Sequence, residues 1–151
     1  MIGSLTEKEI AEFLHEQKFA HLGCHRDGRT YVVPISFVFH QGKLYGQTTI
    51  GLKVEMMRAN PEVCVECAEI QDLTRWRSVI VFGRYEELEG LEAAEALGLL
   101  IDRYGPMFDD VSPSLRGGRN VTPPRQDGKP TRQIVYAIHP TEMTGRFEMP
   151  E

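Results

Sequence analysis

The 151 residues are 41% hydrophobic and 26% charged, with 17 Lys and Arg against 22 Asp and Glu and a formal net charge of −5. That length and mix suit one globular domain, 1–151, and exclude collagen-like and low-complexity polymers. The acid surplus offers no excess of cations to a phosphate backbone, which argues against a nucleic-acid partner. Apolar runs such as Tyr31 to Phe39 fall far short of the roughly 20 residues that cross a bilayer. Together with an N-terminus that has no basic and then apolar leader pattern, this gives the expectation of a cytoplasmic chain with no membrane partner.

A first helix is expected from Glu7 to Gln17: Thr6 and Glu9 form a capping box, Leu5 and Ile10 stand at staple positions, and Ile10, Phe13 and Leu14 make an apolar stripe. Phe19 to Arg26 reads as a strand, Asp27-Gly28 as a tight turn, and Thr30 to His40 as one long strand rich in β-branched and aromatic residues. After Gln41-Gly42, Leu44 to Thr48 is a third strand of the same antiparallel meander. A short helix, Leu52 to Ala59, stops at Asn60-Pro61, because the residue before proline avoids the helical region. Strands Glu62 to Glu69 and Arg77 to Glu87 follow, joined by a polar loop that carries Trp76.

A further helix, about Leu91 to Tyr104, is expected to bury Leu91, Ala94, Leu97, Ile101 and Tyr104 and to end at Gly105-Pro106. The last strand spans Gln133 to His139, closed by Pro140, with a short extension from Met143 to Phe147. Between them, residues 105–130 hold five prolines and four glycines, and Arg116, Arg119, Arg125, Lys129 and Arg132 cluster there or just beyond. A loop of that length is either a surface excursion or a basic flap over an anion or a partner subunit. Six or seven strands with interspersed helices predict a mainly β barrel with flanking helices, and no Rossmann, P-loop or hydrolase motif is present.

Cys64-Val-Glu-Cys67 matches C-x-x-C, but strand residues three apart face opposite ways, so ordinary half-buried cysteines are expected. His15, His21, His25, His40 and His139 form no metal spacing; His21 and His25 share a strand face but have no third ligand.

The most informative stretch is Gln47-Thr48-Thr49-Ile50-Gly51-Leu52-Lys53. A strand ending in two hydroxyls, a glycine bend and a helix with lysine in its first turn together supply the donors and the positive dipole end that suit a phosphate. The plainer alternative is that Thr49 caps the helix while Lys53 is solvated.

The order of elements around this stretch is Val32-Val33-Pro34-Ile35-Ser36, Thr48-Thr49, Gly51-x-Lys53, Arg58-x-Asn60-Pro61, then Trp76-x-Ser78-Val79-x-Val81-x-Gly83. It resembles the pyridoxamine 5′-phosphate oxidase-like FMN-binding split-barrel superfamily, and within it the small 5-nitroimidazole-resistance-type flavoproteins. The resemblance covers about residues 5 to 90 and the last strand. It implies a six-stranded antiparallel split barrel, homodimeric, with two equivalent FMN sites at the subunit interface. Lys53 then corresponds to the phosphate lysine, with Thr48 and Thr49 as hydroxyl donors. The resemblance also implies that Val33, Pro34, Ile35 and Ser36 lie along the flavin ring and that Trp76, Arg77 and Ser78 approach it from the next strand; for Trp76 an interface aromatic is an equal expectation.

Two departures stand out: Leu52 precedes Lys53 where the family often has arginine, and no histidine neighbours Thr48-Thr49. The implied activity is an FMN-dependent oxidoreductase passing electrons from a reduced nicotinamide or another donor to a small organic acceptor. The alternatives are a non-catalytic flavin-binding or storage protein, and a haem or deazaflavin binder on the same fold.

Overall fold

The computed structural model describes residues 1–108 and 133–151. Its elements in chain order are β1 (Ile2–Ser4), α1 (Glu7–Glu16), β2 (Phe19–Arg26), β3 (Arg29–Ser36), β4 (Val38–His40), β5 (Lys43–Thr49), α2 (Leu52–Ala59), β6 (Glu62–Asp72), β7 (Arg75–Glu87), α3 (Gly90–Phe108) and β8 (Gln133–Glu148). The fold is mainly β and antiparallel, as expected, with eight strands where six were expected and with a sheet that does not close. Its order is β3-β2-β6-β7-β8-β5-β4, with β1 added along β8.

Local signals hold where the sequence states them. Thr6 Oγ1 accepts from the Glu9 amide at 3.2 Å and Glu9 Oε1 from the Thr6 amide at 3.0 Å, which also holds the Glu9 carboxyl below its usual range. Ile10, Phe13 and Leu14 are buried. Asp27-Gly28 and Gln41-Gly42 have positive φ throughout, the geometry of two-residue hairpin turns.

The Thr30 to His40 strand is broken. Phe37, Val38 and Phe39 are buried in succession, so alternation fails at Phe37. Its amide donates to the Lys18 carbonyl at 3.2 Å and its carbonyl accepts from the Tyr104 hydroxyl, which replaces the ladder bonds a strand would supply. The break sends β4 to the end of the sheet opposite β3, so the expected three-strand meander is two separate hairpins, β2-β3 and β4-β5.

Other boundaries also move. Trp76 sits within β7, because Asp72 Oδ1 accepts from the Thr74 amide (2.8 Å) and hydroxyl (3.0 Å) and tightens the β6-β7 connection into a short turn. α3 runs through Gly105-Pro106 to Phe108, and its buried face is Ala96, Leu100 and Tyr104, while Leu91 and Ala94 are exposed. Gly105 lacks the positive φ of a helix-ending glycine. The basic segment beyond, residues 109–132, lies outside the described residues. β8 passes through Pro140 because Thr141 is extruded as a bulge opposite Phe82 and Gly83, where a proline costs no ladder bond.

The inner faces of the strands, with α1 and α2, enclose one core that includes Phe13, Leu22, Leu44, Met57, Val79 and Ile138. Tyr136 is 1% exposed and its hydroxyl has no hydrogen-bond partner. The ring crosses β5 at Gly46, where an added Cβ would land on that hydroxyl. Leaving a buried hydroxyl unpaired is costly, so Tyr136→Phe is expected to raise Tm by about 2–4 °C, the effect of ~1 kcal/mol in a domain this size. Thermal denaturation showing an equal or lower Tm would mean the hydroxyl is engaged.

Candidate functional site

α2 begins without a side-chain cap. Its N-cap is Gly51, the first helical bond runs from the Glu55 amide to the Gly51 carbonyl at 3.1 Å, and among the described residues no side chain accepts from the first-turn amides. Thr49 therefore does not cap the helix, and the plainer reading of this segment is overturned at that point. The Thr48 hydroxyl donates to the Thr49 carbonyl at 3.3 Å, and a Cβ built on Gly51 meets nothing within 4 Å. Free amides and open space thus meet at one helix end, with Thr48 and Thr49 just ahead of it as the last residues of β5.

Lys53 occupies the first turn of α2 and is half-buried rather than solvated. No carboxylate among the described residues pairs with it. Burial holds its ammonium below the usual lysine range, with the nearby Cys24 thiol opposing that shift. A cation kept partly dry and unpaired is costly to the fold and well suited to an incoming anion.

The helix that presents Lys53 is fixed along its length. Val54, Met56 and Met57 are buried, and Cys24 Sγ lies 4.0 Å from Met56 Sδ. Arg58 grips Glu87 with Nε at 2.5 Å and Nη2 at 3.2 Å, and Tyr85 donates to the same carboxylate at 3.0 Å. Asn60 Nδ2 donates to the His25 carbonyl at 3.0 Å and Asn60 Oδ1 accepts from the Glu62 amide at 3.1 Å. This Arg58–Glu87 anchorage, which nothing in the local sequence pattern signals, ties the end of α2 to β7.

Val33, Pro34, Ile35 and Ser36 lie on β3, the terminal strand of the sheet path. One edge of its backbone has no strand partner, which is where a proline is tolerated and where a planar polar ligand finds backbone groups. Ile35 points into the core, Pro34 is exposed, and Val33 and Ser36 are intermediate.

Trp76, Arg77 and Ser78 do not join this group within one chain. Cys24, beside Lys53, is opposite Val63, which is opposite Gly83. From Gly83 to Arg77 is six residues of β7, about 20 Å at ~3.3 Å per residue. Arg77 is also engaged: Nη2 lies 3.0 Å from Glu69 Oε1 and 3.7 Å from Glu16 Oε2, and its guanidinium stacks 4.9 Å from the Phe13 ring. Trp76 donates to Glu148 at 2.9 Å.

Paired register places Ser36 opposite Phe19 and Ala68 opposite Ser78, so Ser36 and Ser78 share the outer face of β3-β2-β6-β7. Exposed Phe19, Val32, Ile70 and Phe82 lie on that same face, across from the core.

The remaining described cysteines and histidines form no centre of their own. Cys67 is buried and donates to the Phe19 carbonyl at 3.2 Å, its thiol pushed up to about 12 by burial, while Cys64 lies on the other face. His21 pairs with Glu66 at 3.4 Å. Among the described residues no three His, Cys, Asp or Glu side chains converge to hold a metal ion. No described helix is long and apolar enough to cross a membrane.

A family model described as pyridoxamine 5′-phosphate oxidase matches residues 6–147. An uncharacterized protein of Rhizobium meliloti (strain 1021) is 30% identical over 146 residues, 94% of this chain and 92% of its own. The fold is similar to an FAD-binding protein of Mesorhizobium loti, 28% identical with a TM-score of 0.76 over 97% of this chain and 98% of that one. It is also similar to a candidate 5-nitroimidazole antibiotic resistance protein of Bacteroides thetaiotaomicron, at 19% identity and TM-score 0.71 over 97% and 87%. A haem storage protein of Vibrio cholerae shares the fold at 19% identity and TM-score 0.68 over 94% and 93%.

Proposed function

Because the chain belongs to the pyridoxamine 5′-phosphate oxidase family, we propose that it binds FMN at a seam between two copies and acts as an FMN-dependent oxidoreductase on a small organic acceptor, with a reduced nicotinamide or another donor supplying electrons. The observation that carries this reading is the half-buried, unpaired Lys53 at the uncapped start of α2. That set of donors fits a terminal phosphate: the ammonium supplies charge, the first-turn amides supply directed bonds, and Thr48 and Thr49 supply hydroxyls. The free edge of β3 offers backbone donors and acceptors to the polar rim of a flat ring, and Val33 offers an apolar surface beside it.

Bound flavin supplies the hydride and electron chemistry, so the protein's task is to orient it and keep water from one face. The single-phosphate cradle favours FMN; the similarity to an FAD-binding protein makes FAD the comparison ligand. The outer face of β3-β2-β6-β7 is the surface offered to the second copy, which would bring that copy's Trp76 and Ser78 toward a ring held at β3.

The test is direct. Purified protein is expected to take up FMN at micromolar concentration, to prefer it to FAD, and to bleach under anaerobic NADH or NADPH. Flavin that binds but stays oxidised with both donors favours the storage reading, and no uptake at micromolar FMN removes the proposal.

A further inference from the structure

The outer face of β3-β2-β6-β7 has a relief of its own. Register sets Val32, Gly23, Cys64 and Phe82 side by side in one row across the four strands. All four positions face away from the core, since Leu22, Cys24, Val63, Val65 and Val81 fill the alternate, inward ones. Val32 and Phe82 stand up as apolar knobs, 60% and 43% exposed. Between them Gly23 has no side chain, and a depression of about 500 Å³ opens over Gly23, Val32 and Cys64. A Cβ built on Gly23 meets only the Cys64 carbonyl oxygen at 3.5 Å and Val32 Cγ2 at 3.9 Å, so the space above it is free. The hole and the Phe82 knob are two strands apart, about 10 Å at ~4.8 Å per strand.

A surface that carries both a knob and a hole is complementary to itself, which is what an isologous two-fold interface needs. Two sheets packed face to face have their two-fold axis in the plane between them, running either along the strands or across them. An axis along β6 lays β7 of one copy over β2 of the other, row by row. Phe82 then meets the hole at the partner's Gly23, and the partner's Phe82 meets the hole at Gly23. The same axis carries the partner's Ser78 to the Phe19 end of β2, beside Ser36, where a ring held at β3 calls for it. An axis across the strands through this row sets Phe82 against the partner's Phe82 and sends the partner's Ser78 to the opposite end of the face, towards Thr30.

Size and charge allow the first arrangement. Four strands at ~4.8 Å spacing, with eight residues in β2 and eleven in β6 at ~3.3 Å each, outline about 600 Å² before side-chain relief is counted. That is the scale of the roughly 800 Å² each partner contributes to a stable dimer. The acids nearest the axis have basic neighbours in their own chain: Glu66 lies 3.4 Å from His21, and Glu62 stands opposite Arg84 in register.

Resting on the reading that a second copy covers this face, we propose that Phe82 of each copy seats in the Gly23 depression of the other, with the two-fold axis along β6 and Cys64 facing the partner's Cys64. Glycine at position 23 is then the socket of the interface, and the paired sockets fix the register that brings the partner's Ser78 to the ring. The flavin site is incomplete without that register.

A swap of knob and hole tests it, read by native mass spectrometry of the full chain over a dilution series. Phe82→Ala is expected to weaken the dimer at least about tenfold, because each dimer loses two buried aromatic anchors. Gly23→Phe, which fits its own chain at ordinary contact distances, is expected to set Phe against Phe and give a monomer. Gly23→Phe together with Phe82→Ala restores one aromatic at each contact and is expected to recover the dimer to within about tenfold of the parent. Gly23→Val, a smaller plug, should show the same loss and the same rescue to a lesser degree, and it serves if the phenylalanine variant does not fold. A Gly23→Phe protein as dimeric as the parent overturns the proposal, and so does a double variant no more dimeric than Gly23→Phe alone. A parent that is monomeric with FMN present overturns both this packing and the shared flavin seam. A parent dimer that shows the rescue yet takes up no FMN removes the flavin reading and supports the packing.

Discussion

Lys53→Ala is expected to raise the Kd for FMN about ten- to a hundredfold and to leave riboflavin binding within about twofold. Removing one charge-assisted contact costs about 1.5–3 kcal/mol, which sets that range. Riboflavin lacks the phosphate, so the two ligands separate loss of an anion contact from loss of the pocket. An equal loss for both would show that Lys53 shapes α2 rather than binding phosphate. The alanine variant is expected to fold, because the buried anchors Val54, Met56 and Met57 remain in place.

The pH profile of the same equilibrium gives a second signature. FMN affinity is expected to rise as the phosphate takes its second charge near pH ~6, and to fall on the alkaline side as the Lys53 ammonium loses its proton. Burial lowers the Lys53 pKa from its ordinary value, so the alkaline fall should come earlier than for a solvated lysine. In Lys53→Ala the alkaline limb should vanish and the acidic limb persist. Titration by fluorescence quenching at a series of pH values reads both limbs.

What the sequence disclosed and what it withheld follow from the range of the interactions involved. The α1 cap, the two glycine turns and the α2 boundaries are written in neighbouring residues, and all are where the pattern places them. The break at Phe37 is set by Lys18 and by Tyr104, residues far along the chain, so no window around Thr30 to His40 contains it. Trp76 was displaced from a loop into β7 by a side-chain turn at Asp72, and β1 is too short to carry a periodicity.

The same division holds at the site. The chemistry of Thr48, Thr49 and Lys53 was visible because they sit within one turn of each other. That Thr49 leaves the helix uncapped, and that Lys53 is half-buried, depends on how α2 packs against β2 and is pinned by Arg58 and Glu87. The grouping of Trp76, Arg77 and Ser78 with Lys53 rests on the family resemblance, and the single chain separates them by about 20 Å, six strand residues at ~3.3 Å each.

That separation makes the second copy the decisive variable. Phe82→Glu is expected to yield a monomer by native mass spectrometry and to reduce FMN affinity by at least about tenfold, though it touches no residue of the phosphate cradle. Phe82 is 43% exposed on the outer face with Phe19, Val32 and Ile70. A charge at its centre leaves the chain's own core intact but is costly to bury against another copy. Leu91→Glu serves as the control: it is 75% exposed, lies on α3 and belongs to neither surface, so mass and affinity should not change. If Phe82→Glu is monomeric and still binds FMN as the parent does, one chain holds a complete site, and the phosphate cradle with the β3 edge is sufficient. If it remains dimeric, the two copies meet on another face, and Trp76 and Ser78 lose their route to the ring.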